Sequence, residues 1–461
     1  MDSTFNIKLW KTSVYKGARK TTHTVRWELD GREWRQPFGT AALAESFRSQ
    51  LVVAARRGEA FSTTTGRPLS QQSAANAVDW YGFAVQFADA QWARTSANNR
   101  KVVAKVLMAS TVALLRAPVP SHIAMVDLRT ALREFAFNMK RRDQAAPETI
   151  AILRWVERNT PSMAAWEDPA KVEAVLSALS AKLDGKPVAL SSVKRTTRVL
   201  NVAMEYAVKQ RILRENPLPK GRGTSPKTSS AVDKRSLVNP QQAALLLDAI
   251  RRRPRGGERL HALFATLYYL GLRPEEAVAL AVSDARLPVE EDVDQWGELL
   301  IHTAQPEVGG NWTDSGEIHE ERGLKGRAAD DMRSVPCRPA LTRILREHVE
   351  REGLKPGDLL FQGEKGDMLA GSVIRRAWRT AREKVLTPHE FESPLGRRVY
   401  DLRNTCLTNW LNGGIPPAQV ADWAGNSVPV LLATYARCID GQLADMKRRI
   451  EEGGDLPDVG A

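Results

Sequence analysis

The longest uniform signal in this 461-residue sequence is a run of apolar residues at three- and four-residue steps, from about 70 to 218. Segments such as SAANAVDWYGFAVQFADAQW, VDLRTALREFAFNMKRR and RTTRVLNVAMEYAVKQRIL carry it, and proline-bearing breaks (APVPSH, AAPET) separate them. That period belongs to helices burying one face, so a compact helical domain is predicted over 70–218.

Different textures flank this run. Within 1–65, FNIKLWK, THTVRWELD and REWRQPFG have strand character, and the last two meet at Asp30-Gly31, a strong hairpin signal. A helix should follow, opening at Thr40 and ending near Gly58. Beyond the helical run, residues 219–236 are polar, basic and rich in Gly, Pro and Ser, as expected of a linker. Residues 237–445 mix helices (NPQQAALLLDAIRRR, RLHALFATLYYLG) with strands (GELLIHT, MRSVPC), and 446–461 read as a frayed tail. The expected class is mainly α with small β elements: a three-stranded sheet plus helix, a helical domain, and a mixed α/β domain.

Composition narrows the partners. With 67 Lys and Arg against 54 Asp and Glu, the net charge is +13, which favours a polyanion because neutralising phosphates releases counterions. Lys16, Arg19, Lys20, Arg26, Arg32 and Arg35 make the N-terminal sheet basic. A two-stranded ribbon of that size can enter a DNA major groove; a solvated sheet face is the plainer alternative. Arg142, Lys194, Arg195 and Arg198 give the helical run basic faces, open to the same two readings. No stretch approaches the ~18 apolar residues of a membrane span, and MDSTFNIKLWK lacks the layout of a secretory signal, so a cytoplasmic protein is expected. Three scattered cysteines (Cys337, Cys406, Cys438) and unclustered histidines give no reason to expect a metal.

Four short stretches in the last domain carry chemistry. In LYYLGLRPEEAVAL, Gly271 can end one helix, Arg273 falls in the turn, Pro274 opens the next, and Glu276 follows. An arginine held so beside a carboxylate can clamp a phosphate, or simply form a structural ion pair. In RRVYDLRNTCLTNWLNGG, Tyr400 and Arg403 lie one helical turn apart. In DWAGNSVPVLLATYARC, Asn426 stands at a helix start, where it can also serve as a cap, and Tyr435 follows nine positions later. EERGLKGRAADDMRSVPC has the look of a β-hairpin with Lys325 near its turn.

Together and in this order, these stretches resemble the tyrosine recombinases, in particular the long integrases of actinobacterial mobile elements. That family carries an arginine in a GLR-x-x-E turn, a hairpin lysine, an H-x-x-R box, a His or Trp position and a tyrosine soon after. Here Tyr435 follows Arg403 by 32 positions, in keeping with the family. NPQQAALLLDAI, GLKGRAADDMRSVPC, SPLGRRVYDLRNT and LLATYARCIDGQ carry the likeness further. The resemblance implies an arm-type DNA-binding domain (1–65), a core-binding domain (70–218), a basic linker (219–236) and a catalytic domain (237–445). It implies that Tyr435 attacks a scissile phosphate to give a 3′-phosphotyrosine, with Arg273 and Arg403 offsetting oxygen charge. Lys325 is then the candidate general acid and Glu276 the residue that orients Arg273. No cofactor is expected, since phosphate bonds are exchanged. The implied partners are double-stranded DNA at attachment sites, three further copies in a DNA-bound homotetramer, and an accessory DNA-bending or directionality factor. The protein would associate with the nucleoid.

Two positions depart from the family. Tyr400 stands where the box has histidine; it can donate to a phosphate but, with a reference pKa near ~10, is a poor base. Asn426 replaces the His or Trp, and its amide can donate but not transfer protons, which predicts a slower enzyme. Two other readings stay open: a type IB topoisomerase, and a catalytically impaired DNA-binding regulator or excision accessory of the same family.

Overall fold

The computed structural model describes residues 3–17, 21–69, 78–182, 184–219, 231–288, 295–324, 331–435, 438, 447–448 and 450–451. The chain divides into two compact units, Met1–Pro226 and Lys227–Ala461.

The first unit opens with a sheet built on β4 (Thr21–Leu29). β5 (Arg32–Phe38) pairs along one edge, and β2 (Ile7–Leu9) and β3 (Ser13–Lys16) share the other. The expected first strand is therefore shorter than FNIKLWK, and a further strand follows it. Its row breaks at 10–12, where the Trp10 N–H donates to Arg26 O. Asp30 and Gly31 take φ of 46° and 85°, the double positive φ of a two-residue hairpin turn. Helix α1 (Ala41–Arg56) is capped by Thr40, whose hydroxyl accepts from the Leu43 N–H. Val25, Trp27 and Leu29 alternate inward and meet Ala44, Leu51 and Ala54 of α1 in a small core.

The helical run holds α2 (Trp80–Trp92), α3 (Ala97–Ala113), α4 (Met125–Thr130), α5 (Pro147–Asn159), α6 (Pro169–Ser180) and α7 (Leu190–Lys209). Trp80 is fully buried, its ring N–H donating to Thr111 Oγ1 at 2.9 Å, and its ring lies 4.9 Å from that of Trp166.

In the second unit, α8 (Pro240–Arg251) and α9 (Gly257–Leu270) pack beside a small sheet of order β11 (Arg333–Cys337), β8 (Gly297–Ile301), β7 (Ala285–Arg286). β8 and β11 alternate buried and half-buried residues, as a one-sided sheet requires. α11 (Pro339–Glu352) and α12 (Gly371–Val385) complete the core around Phe264 and Trp378, whose rings stack at 5.5 Å. Through this unit runs α14 (Tyr400–Asn412), in which every residue from Asp401 to Thr408 is buried. Such a helix has no solvent face, so its polar side chains must find partners inside the protein. α15 (Pro417–Ala424) and α16 (Val428–Tyr435) close over it. Among the described residues no helix is long and apolar enough to cross a membrane.

Candidate active site

The Gly271–Pro274 turn is dictated by its residues. Gly271 ends α9 at φ 58°, in the left-handed region, and a Cβ there would sit 3.2 Å from Cys406 Cβ and Sγ. Arg273 is extended, and Pro274 opens the short helix α10 (Pro274–Ala277). This turn presents Arg273 beside Glu276. The Glu276 Oε1 accepts from Arg273 Nη1 at 2.6 Å, and Oε2 accepts from the Arg273 backbone N–H at 2.9 Å.

Arg403, buried on α14, reaches the same turn. Its Nη1 donates to Gly271 O at 2.5 Å and its Nη2 to Ala424 O at 2.8 Å. Asn426 lies between the two arginines. Its Oδ1 accepts from Arg273 Nη2 at 3.1 Å and, at 3.5 Å, faces Arg403 Nη2. Both neighbours are donors, so the amide oxygen must face them and its NH₂ is left for another acceptor. Asn426 is therefore a member of the arginine cluster.

Arg333, on the first residue of β11, was not among the expected site residues. Its side chain is 1% exposed, its Nη2 donates to Glu276 Oε2 at 2.6 Å, and its Nε donates to Trp423 O at 2.8 Å. A signal existed in the alternation: Arg333, Val335 and Cys337 share the buried face of the strand, where an arginine is out of place unless paired. Three guanidiniums thus surround one carboxylate. Burial pushes the Glu276 carboxyl up, but the charges of Arg333 and Arg273 outweigh it and hold the pKa below the usual range. Burial opposes the charge on Arg273 too, and Glu276 more than restores it. For Arg333 burial wins, and its pKa falls. Arg403 Nε and Arg333 Nη1 are buried with no hydrogen-bond partner among the described residues.

Tyr435, the last residue of α16, is 2% exposed. Its hydroxyl donates to Asn404 Oδ1 at 3.0 Å, immediately after Arg403 on α14. Burial pushes its pKa up to about 12, against the pull of the Arg403 and Arg273 charges. Asn404 also escaped the sequence reading, because the stretch from Asp401 to Thr408 is buried on all sides and has no periodicity to single it out. Tyr400 is 38% exposed, with the Arg403 guanidinium 6.0 Å from its ring centre. It is a surface tyrosine, lining a groove with Pro274, Arg375, Arg379 and Arg398.

Lys325 lies outside the described residues. The strands flanking it, β10 (Arg322–Gly323) and β11, do not pair with each other as a hairpin would. Both run antiparallel to 297–304, β10 against β9 (Thr303–Ala304) and β11 against β8.

The basic residues of the N-terminal sheet are split between its faces. Arg26 and Arg35 are direct cross-strand partners on the outer face, with Arg26 also bonded to Glu33 at 2.7 Å. By register Lys16 and Arg32 fall on the opposite face, where Arg32 stacks over the Trp34 ring at 4.5 Å. Arg19 and Lys20 lie outside the described residues. In the helical run Arg142 is committed to the fold: its two terminal nitrogens fork onto Asp89 at 2.9 and 2.6 Å.

No protein-family model matches the chain, and no curated protein matches it. The chain is similar to solved structures of integrases and recombinases, three of which, each on DNA, follow. The Tn1549 transposon integrase (aa 82–397) in complex with a circular intermediate DNA is 14% identical, over 70% of this chain and 99% of that one, at a TM-score of 0.46. The XerH site-specific recombinase bound to its difH substrate is 14% identical, over 77% and 96%, at 0.43. A lambda integrase dimer bound to a COC′ core site is 12% identical, over 97% of both chains, at 0.43.

Proposed function

We propose that this protein is a tyrosine-type site-specific DNA recombinase, an integrase that cuts and rejoins DNA through a 3′-phosphotyrosine on Tyr435 to integrate or excise a mobile element. The observation that carries the reading is the convergence of Arg273, Arg403 and Asn426, from three separate stretches of the sequence, around the end of α15, with Tyr435 bonded to Asn404, the residue after Arg403. The buried guanidiniums of Arg333 and Arg403 and the partly buried one of Arg273, against the single carboxylate of Glu276, leave positive charge in excess. Such a site is completed by an anion, and the Nε of Arg403 is an unspent donor for it. A phosphodiester supplies that anion, and its charge grows in the pentacoordinate transition state, where fixed donors act most strongly.

In this reading Tyr435 Oη gives up its proton to water and forms the bond to phosphorus, and the 5′-oxygen leaves, protonated by a general acid for which Lys325 is the candidate. The NH₂ of Asn426 and the hydroxyl of Tyr400 donate to phosphate oxygens; neither transfers a proton. The departed 5′-hydroxyl later attacks a partner strand's phosphotyrosine, so no external energy source enters. Residues 1–65 would grip arm-type DNA sites and 70–218 the core site, joined by 219–236 to the catalytic domain 237–445. The working assembly would be a homotetramer on DNA, served by an accessory bending or directionality factor.

The test is covalent trapping on a nicked suicide DNA carrying the element's crossover site. A denaturation-resistant adduct that Tyr435→Phe abolishes is the expected result. No adduct on a site the protein binds would instead favour a DNA-binding regulator or excision accessory.

A further inference from the structure

Resting on the reading of Tyr435 as nucleophile, we propose that Asn404 is a positioning residue that aims the Tyr435 hydroxyl for attack. Both side chains are buried, at 4% and 2% exposure, so their contact is shielded from water. Asn404 cannot turn over. Its Nδ2 donates to Asp401 Oδ1 at 3.1 Å, and an ionised carboxylate only accepts. Asp401 is itself fixed, because Oδ2 accepts from the Arg398 backbone N–H at 2.8 Å and Oδ1 from Arg398 Nη2 at 2.9 Å.

The amide oxygen therefore must face Tyr435, and the phenol must be the donor in the 3.0 Å contact. A phenol has one proton. With that proton pinned on Asn404, the lone pairs of Oη point elsewhere, which is the geometry an attacking oxygen needs. Asn404 also adjoins Arg403, so the residue aiming the nucleophile and the residue gripping phosphate ride on one buried helix and keep their spacing. Asn404 takes up no proton in the reaction; it sets where the oxygen points.

Single-turnover cleavage of the suicide DNA tests this, with DNA affinity measured alongside. Asn404→Ala removes the acceptor, and misaiming of the oxygen should slow cleavage by about 10- to 100-fold with binding unchanged. Asn404→Asp is the sharper variant, because it keeps the shape. With its carboxyl protonated it donates to Asp401 and accepts from Tyr435, as the amide does. Ionised, it faces Asp401 as a like charge and holds the phenolic proton more tightly, with Arg398, Arg403 and Arg273 nearby as cations and Tyr400 as the other titratable neighbour. Its cleavage rate should therefore fall as pH climbs from about 5 to about 8, while the wild-type rate does not. A merely structural asparagine would give no such inversion. Asn404→Asp running parallel to wild type, or Asn404→Ala cleaving at the wild-type rate, overturns the proposal and leaves Tyr435 as nucleophile. If Asn404→Ala is misfolded by its thermal transition, the pH profile of Asn404→Asp decides alone. Absence of any Tyr435 adduct from the wild type overturns both readings together.

Discussion

At the scale of single residues, the site is an exercise in placing like charges close together. Glu276 is the reason Arg273 and Arg333 tolerate each other, accepting from one on each oxygen. Removing Arg333 would leave Glu276 half-paired and Trp423 O without its donor. Arg333→Met should destabilise the protein by about 3–5 kcal/mol, the usual cost of breaking a buried pair, read by urea denaturation. Arg403 uses two nitrogens on two carbonyls of different elements, a fork an ammonium cannot copy. Arg403→Lys should lower single-turnover cleavage by about 10²–10³-fold with DNA affinity little changed, in line with the loss of one transition-state donor. Asn426→His probes the position at which the sequence departs from the pattern it resembles. Among three guanidiniums the imidazole would stay neutral at physiological pH, so its gain must come from hydrogen bonding. A faster cleavage rate is expected, and an unchanged one would mean this position does not limit catalysis.

Elements explain why these side chains meet. The left-handed Gly271 stops α9 so that its last carbonyl faces Arg403 and the chain turns to present Arg273. Gly271→Ala should cost roughly 1–2 kcal/mol for the positive φ alone, with more from the contact with Cys406 and Leu407. Because Arg273 hangs from the same turn, cleavage should fall as well; a variant as stable and as fast as wild type would contradict this account. The turn residues Thr40, Asp30, Gly31 and Asn239 act where local chemistry places them, since caps and tight turns depend on near neighbours. The segment around Lys325 is different. The sequence EERGLKGRAADDMRSVPC has the look of a hairpin, but β10 and β11 both pair with the run 297–304, a choice set by side chains farther along the chain.

For the molecule as a whole, charge and burial set the response to solution conditions. Burial raises Cys337 to about 11 and Tyr81 and Tyr435 to about 12. Each holds its proton more tightly folded than unfolded, so its contribution is complete below the unfolded pKa and is lost as pH rises towards the folded one. The urea midpoint should therefore be level up to about pH 8.5 and fall steadily from there to about pH 12. A midpoint that rose over that range would refute the burial of these groups. The net charge of +13 predicts DNA binding that weakens steeply with salt, measured as the slope of log affinity against log salt concentration. A flat response would count against the basic surfaces as DNA contacts.

Sequence alone determined what depends on near neighbours and on period: helices where apolar residues recur every three or four positions, the Asp30-Gly31 hairpin, the Gly271 stop, and the one-turn spacing of Tyr400 and Arg403. It also marked Arg273, Arg403, Asn426 and Tyr435 through an ordered pattern, although not how they touch. Only the tertiary structure decided that Asn426 joins the arginines, that Tyr400 lies at the surface, and that the basic residues of the first sheet divide between two faces. It alone brought in Arg333 and Asn404. The physical reason is the same for both: a buried polar group is defined by its partners, and these partners lie 57 and 31 positions away in the chain. Periodicity reports which side of an element is buried, and a stretch buried all round, such as Asp401 to Thr408 of α14, leaves that signal silent.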